Sequence, residues 1–133
     1  MAEFTLNQKI SDDSILISKL ELSELRLMND ANYPWFILIP QQSNLCEIYD
    51  LTDNQQKILM SEINKLAKFI KTHFKADKIN IANLGNIVAQ LHIHVIARYK
   101  DDQAWPDPVW GKYPQKKYLT EQILAIKELF NKY

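Results

Sequence analysis

Apolar and polar positions alternate through Gln90-Leu91-His92-Ile93-His94-Val95, the two-residue period of a strand with one face buried. A strand is therefore expected over residues 90–98. Leu91, Ile93 and Val95 face the core, and Gln90, His92 and His94 share the opposite face, roughly 6.5–7 Å between every second residue. Weaker alternation predicts strands over 15–19, over 22–28 (Leu22, Leu25 and Leu27) and over 78–82 (Ile79 and Ile81). Trp35-Phe36-Ile37-Leu38-Ile39 is a continuous apolar run stopped by Pro40, the pattern of a strand buried on both faces. A different period rules residues 53–74. There Leu59, Ile63, Leu66, Ala67, Ile70 and Phe74 recur at three- and four-residue steps behind Thr52-Asp53-Asn54-Gln55, a capping box opening one long amphipathic helix. Leu6 and Ile10 fit a short helix within 5–13. Ile123, Ile126, Leu129 and Phe130 form the stripe of a final helix over about 120–132, with Thr120 as its cap. Residues 29–34 are a turn cluster, and 41–50 a polar connection with a helical turn near Leu45.

Strands, one long helix, two more strands and a closing helix make an α+β fold with an antiparallel sheet of about five strands. At 133 residues the chain reads as one domain, with its core over about 15–111. Composition narrows the partners. Sixteen basic residues balance sixteen acidic ones, so no net field draws the chain to nucleic acid. The single cysteine, Cys46, excludes a disulfide framework, suits a reducing compartment and reads as a small buried apolar residue. The start of the chain lacks a basic leader, and no apolar run is long enough to span a membrane. A cytoplasmic protein is expected. Two glycines leave no room for a P-loop or dinucleotide fingerprint. His73 lies near the end of the long helix, where a cationic ring favours the dipole, and reads as structural.

The row Gln90, His92, His94 admits three readings. It is a solvated strand face; or a metal site, with Asp101 or Asp102 folding back as third ligand; or a centre of nucleophilic or acid–base chemistry, for which the near-neutral imidazole is suited. Asn83-Leu84-Gly85-Asn86 turns the chain before this strand. Gly85 is expected to permit positive φ, letting backbone N–H groups face an anion. Residues 105–110, rich in tryptophan and proline, read either as a polyproline-like cover over the domain or as a flap or subunit contact near the site.

The row and its flanks resemble the histidine triad (HIT) superfamily of nucleotide hydrolases and transferases, whose signature is His-φ-His-φ-His-φ-φ with φ apolar. Here Gln90 stands at the first histidine position, His92 at the second and His94 at the third. The run from Trp35 to Pro40 resembles the family's strand ending in proline. Leu27-Met28-Asn29-Asp30 resembles the strand end that faces the nucleotide, and Trp105-Pro106-Asp107-Pro108-Val109-Trp110-Gly111 a downstream segment of part of the family. The ordered set, over roughly residues 15–111, looks most like a bacterial branch of small HIT proteins with glutamine first in the triad.

The resemblance implies the HIT fold, commonly a homodimer, and a nucleotide as small-molecule partner. It implies His92 as nucleophile on an α-phosphorus, forming a nucleotidyl-histidine that water or another acceptor resolves. The carbonyl of residue 90 accepts from the other ring nitrogen. His94 becomes a phosphate contact, Gly85 and Asn86 donors to phosphate oxygens, and Asn29 and Asp30 ribose contacts. Leu27 falls to the base pocket, and Asn80 is a weaker candidate on the neighbouring strand. No resident metal or cofactor is implied beyond a divalent ion carried by the substrate. Gln90 can hydrogen-bond a phosphate but cannot deliver a proton as an imidazolium does. Trp35 stands where many members place a histidine beside the first triad histidine, so both members of that pair are absent together. Leaving-group protonation then falls to His94, to solvent or to the leaving group itself. The chain is expected to be a nucleotide phosphohydrolase or nucleotidyl transferase acting on dinucleoside polyphosphates or nucleotide conjugates. The alternative is a purine-nucleotide-binding module with vestigial catalysis.

Overall fold

The computed structural model describes residues 3–133. Met1 and Ala2, which open the stretch expected to lack a leader, lie outside the described residues. Three helices, α1 (Gln8–Asp13), α2 (Asp53–His73) and α3 (Thr120–Leu129), accompany five strands: β1 (Ser14–Lys19), β2 (Ser23–Met28), β3 (Trp35–Pro40), β4 (Lys78–Ala82) and β5 (Ile93–Arg98). The strands form one antiparallel sheet in the order β1-β2-β3-β5-β4.

The two periods of the sequence become the two sides of this sheet. On one face Leu25, Leu27, Phe36, Leu38, Ile93, Val95 and Ala97 pack under Leu59, Ile63, Leu66 and Ile70 of α2 and Phe130 just beyond α3. The capping box forms: Thr52 Oγ1 accepts from the Gln55 amide at 3.2 Å, and Gln55 Oε1 accepts from the Thr52 amide at 3.0 Å. On the other face Trp35, Ile37, Ile39 and Ile96 meet Ile10, Tyr33, Ala104 and Val109. β3 is buried at every position, as its continuous apolar run predicts. β5 is too, in place of the half-buried strand its alternation predicts, because it lies inside the sheet between β3 and β4 and its polar residues His94 and Arg98 are covered. No helix among the described residues is long and apolar enough to cross a membrane.

Four local expectations need correction. β5 starts at Ile93, so Gln90 and His92 precede the strand; Leu91 is tied instead to the 41–50 connection, its amide donating to the Leu45 carbonyl at 2.9 Å. The helical turn of that connection is a 3₁₀ turn at Ile48–Asp50, not at Leu45, because the Asp50 carboxylate accepts from the Cys46 and Glu47 amides and closes the turn there. Cys46 is exposed rather than buried, since this connection runs over the surface. The final helix is capped at Leu119, whose amide donates to Gln122 Oε1 at 2.8 Å; Thr120 is its first helical residue.

Candidate functional site

Strand register assembles the site. Ile37 of β3 pairs with His94 of β5, and Trp35 pairs with Ile96. Trp35 is thus diagonal to His94 on one face, a separation that long aromatic side chains span. On the other side Ala82 pairs with His94, so the chain leaving β4 carries Leu84 past the same ring.

Both rings of the pair are buried, His92 at 7% exposure and His94 at 4%. They meet edge to face with centroids 4.8 Å apart. Their hydrogen bonds differ. His92 Nδ1 lies 2.7 Å from the Gln90 carbonyl oxygen. A carbonyl only accepts, so Nδ1 carries the hydrogen and Nε2 keeps its lone pair. His94 is engaged at both nitrogens. Its Nδ1 accepts from the Trp35 indole at 2.9 Å, and its Nε2 donates to the Leu84 carbonyl at 3.0 Å. Burial of the ring pushes the His94 pKa down to about 4; the neighbouring His92 adds to this, and the Leu84 carbonyl opposes it. His94 is therefore neutral at physiological pH, with no lone pair to spare.

Gly85 is required here for a reason other than positive φ, which only Gly111 of the two glycines adopts. A Cβ on Gly85 would lie 2.6 Å from the Val88 carbonyl oxygen and 3.5 Å from His92 Cε1. The loop curls back on itself against the His92 ring, and only a residue without a side chain fits. Gly85 and Asn86 line a cavity of about 290 Å³ with His92 and His94. Its remaining walls are mostly apolar: Ile10 from α1, Met28 from β2, Ile37, Leu84, Ile87, Val88 and Trp110, with Lys9 and Asp13 at one side. Trp110 stands edge-on to both His94 and Trp35, with centroids 5.0 and 5.5 Å away. Of the two readings of residues 105–110, this favours a segment at the site.

The cavity gathers His92, His94, Gly85 and Asn86 but not the other candidates. Leu27 points into the core under α2, because alternation along β2 sends it opposite to Met28, which lines the cavity. Asn29 and Asp30 tie down the C-terminal segment: Asn29 Oδ1 accepts from the Tyr118 amide and Asp30 Oδ1 from the Lys116 and Asn32 amides. Asn80 accepts from Arg98 at 2.8 Å. Gln90 does not face the rings. Its Oε1 accepts from the Asn7 amide at 2.8 Å and its Nε2 donates to the Thr5 carbonyl at 2.9 Å. Trp35 and Gln90 are thus not partners: the indole serves His94. Asp102 is no third ligand either, for both its oxygens are held by Arg98, at 2.8 and 3.0 Å. Among the described residues no three His, Cys, Asp or Glu side chains are grouped to hold a metal ion.

Sequence reasoning missed Lys9, Ile10, Met28 and Ile37, while Trp110 fits one of its two readings of residues 105–110. Part of the signal for Met28 and Ile37 was present: strand alternation turns them to the face opposite Leu27 and Leu38, and the β3–β5 register then sets Ile37 beside His94. Lys9 and Ile10 come from a segment whose packing on the sheet no local pattern reveals.

The chain matches the HIT domain family model over residues 9–101. A histidine triad protein from Bradyrhizobium japonicum is 39% identical, with 98% of each chain covered and a TM-score of 0.96. One from Sinorhizobium meliloti is 43% identical, with 95% of this chain and 93% of that one covered and a TM-score of 0.93. Among curated relatives, the bis(5'-adenosyl)-triphosphatase of Saccharomyces cerevisiae is 32% identical over 69 residues, 48% of this chain. That match takes in only 34% of the yeast protein. Five antiparallel strands, an imidazole pair facing a cavity beside a glycine loop, and similarity running the length of bacterial histidine triad structures agree: the chain belongs to the HIT domain family and has its fold.

Proposed function

We propose that the protein is a nucleotide phosphohydrolase or nucleotidyl transferase that works through a covalent adduct on His92. The observation that carries this reading is the hydrogen bond from His92 Nδ1 to the Gln90 carbonyl, which leaves Nε2 bare in a ring that lines the cavity. The Nε2 lone pair attacks the α-phosphorus, a P–N bond forms, and the P–O bond to the leaving group breaks with its electrons going to oxygen. The adduct ring is cationic, and the Nδ1–H donated to the Gln90 carbonyl stabilises that charge. Water or another hydroxyl acceptor then attacks phosphorus and gives its proton to solvent, the P–N bond breaks with its electrons returning to Nε2, and the neutral ring is restored. Amides of the loop at Gly85 and Asn86 are assigned to the phosphate oxygens. The apolar wall of Ile10, Met28 and Ile37 is assigned to the base.

His94 is neutral and saturated, so it is not assigned the proton of the leaving group. That favours leaving groups stable as anions, such as a nucleotide phosphate, over amines. Dinucleoside polyphosphates and nucleotide conjugates are accordingly the proposed substrates, and any divalent ion arrives with the substrate. The relationship to a yeast bis(5'-adenosyl)-triphosphatase supports this class. We further propose one domain over the whole chain and a homodimer joined along β4, an edge strand on which Ile81 is half exposed, with Ile87 more exposed still just beyond it. A cytoplasmic location accords with the exposed free thiol of Cys46, and the balanced charge offers no field for nucleic acid.

The test is intact-protein mass spectrometry with a dinucleoside tetraphosphate, an adenosine phosphoramidate and a nucleoside diphosphate sugar, on wild type and His92→Ala. A mass gain of one nucleotidyl group, or released mononucleotide, is expected in the wild type alone and most readily with the tetraphosphate. Nucleotide binding without adduct or product would establish the alternative, a purine-nucleotide-binding module.

A further inference from the structure

Helix α1 spans six residues, far short of the length at which an isolated helix is stable in water. Yet it supplies Lys9, Ile10 and Asp13 to the cavity wall. Something outside the helix must hold it. At its C-terminal end the chain runs directly into β1, and the Ser14 hydroxyl donates to the Ile10 carbonyl. At its N-terminal end the holder is Gln90. The Asn7 amide donates to Gln90 Oε1 at 2.8 Å, and Gln90 Nε2 donates to the Thr5 carbonyl at 2.9 Å. One side-chain amide thus grips two backbone groups two residues apart, as a neighbouring strand would. Asn7 is also the helix N-cap, its Oδ1 accepting from the Lys9 amide at 2.9 Å. The backbone that Gln90 grips therefore belongs to the residue that starts the helix.

We propose that Gln90 is a positioning residue: it latches residues 5–7 so that α1 closes the wall of the nucleotide pocket, while its own carbonyl orients His92. The choice of residue follows from the task. A primary amide carries a donor and an acceptor side by side, matching the N–H and C=O of an extended backbone. A histidine has one of each on well-separated ring atoms, and a glutamate has acceptors only. Glutamine at this position is then a substitution that serves substrate capture instead of proton delivery. The inference deepens the function proposed above, and it rests on that reading for the identity of the ligand.

The closing experiment has two readouts. The first needs no ligand: amide hydrogen exchange in residues 5–11 of wild type, Gln90→Ala, Gln90→Glu, Asn7→Pro and Asn7→Ala. Proline suits the Asn7 φ of −55° and deletes the gripped N–H; it also removes the Oδ1 cap on Lys9, so Asn7→Ala, which loses the cap and keeps the N–H, is its control. The expected result is exchange faster by about tenfold or more at Ser11, whose amide donates to the Asn7 carbonyl at 3.0 Å, in both Gln90 variants, and faster in Asn7→Pro than in Asn7→Ala. The second readout is AMP affinity by calorimetry and the split of KM from kcat with a dinucleoside tetraphosphate. If the latched state becomes the minor one, apparent affinity falls by the fraction lost, about tenfold for a latch closed one time in ten. KM should rise correspondingly more than kcat falls, and Gln90→Ala should add little in an Asn7→Pro background. Unchanged exchange in Gln90→Ala overturns the latch. So does a loss confined to kcat, which would place Gln90 at the reacting atoms. If wild type binds no AMP, the proposed function fails, and the exchange data still decide the latch.

Discussion

The two imidazoles of the site stand 4.8 Å apart and are both buried, but their outer partners differ. His92 has one carbonyl partner, which fixes its tautomer and leaves a nitrogen for chemistry. His94 has an indole donor on one side and a carbonyl on the other. It is a strut between β3 and the loop after β4. The same residue type, two positions apart, offers its lone pairs differently because the second layer of hydrogen bonds, not the ring, determines which lone pair is available.

The largest break in this comparison is His92→Ala, which should lower turnover by about 10³-fold or more, as loss of a covalent nucleophile does. Burst kinetics on a dinucleoside tetraphosphate measure it. Gly85→Ala should follow, because the new methyl group would clash with the Val88 carbonyl at 2.6 Å and force a shift in the loop that lies against the His92 ring. A displacement of about 1 Å at the reacting group costs about 10²-fold, and the crowding about 1–3 kcal/mol of stability. Thermal melts beside the kinetics separate the two effects.

Trp35→Phe sharpens the contrast from the other side. It keeps an aromatic ring but leaves His94 Nδ1 a buried acceptor without a donor, for a loss of about 1–3 kcal/mol. The freed nitrogen can now take a proton, so the His94 titration seen by NMR should move up from about 4. Turnover should fall only about tenfold, because the ring that shifts is not the one that attacks.

The same ring predicts a pH dependence. An unfolded histidine protonates near 6.5 and the folded His94 only near 4. Between these values the unfolded chain binds more protons, so stability rises with pH from about 4 to 6.5 and falls as pH drops through that window. The change attributable to His94 is on the order of 3 kcal/mol. Urea unfolding of wild type and His94→Gln across the window should show a steeper slope in the wild type; parallel curves would mean that the fold tolerates a charged His94. The smallest effect belongs to Cys46, which is exposed and is not a partner of either ring. Cys46→Ser should change stability by less than about 0.5 kcal/mol, and a thiol reagent should label the native protein.

The sequence carried the sheet well. The alternation at Ile93 to Val95, the apolar run of β3 and the capping box of α2 each have a local physical cause, and each forms. The partner that fixes the His92 tautomer lies only two residues away, but it is the family resemblance, not the alternation, that points to it. What failed was whatever depends on strands that meet only in the fold. By the resemblance, Trp35 stands where a histidine would partner the first triad histidine, and nothing local says that β3 sets its indole diagonal to His94. Asn29 and Asp30 are ribose contacts by the resemblance alone, and nothing local shows that their bonds go to a segment some 86 residues away. Leu27 is a different error: its own strand period already assigned it to the core.

Much of the pocket's wall comes from α1, from the loop after β4 and from Trp110; Met28 and Ile37 of the sheet supply the rest, and the His92 ring stands just before β5. Helix α1 and Trp110 lie outside the strand pairing, and neither holds a nitrogen of His92. Exchanging side chains there would change what the cavity admits while leaving the His92 ring where it is. Such a frame can change clients without relearning its reaction, and libraries confined to positions 9, 10 and 110 would be the economical place to look for altered substrates.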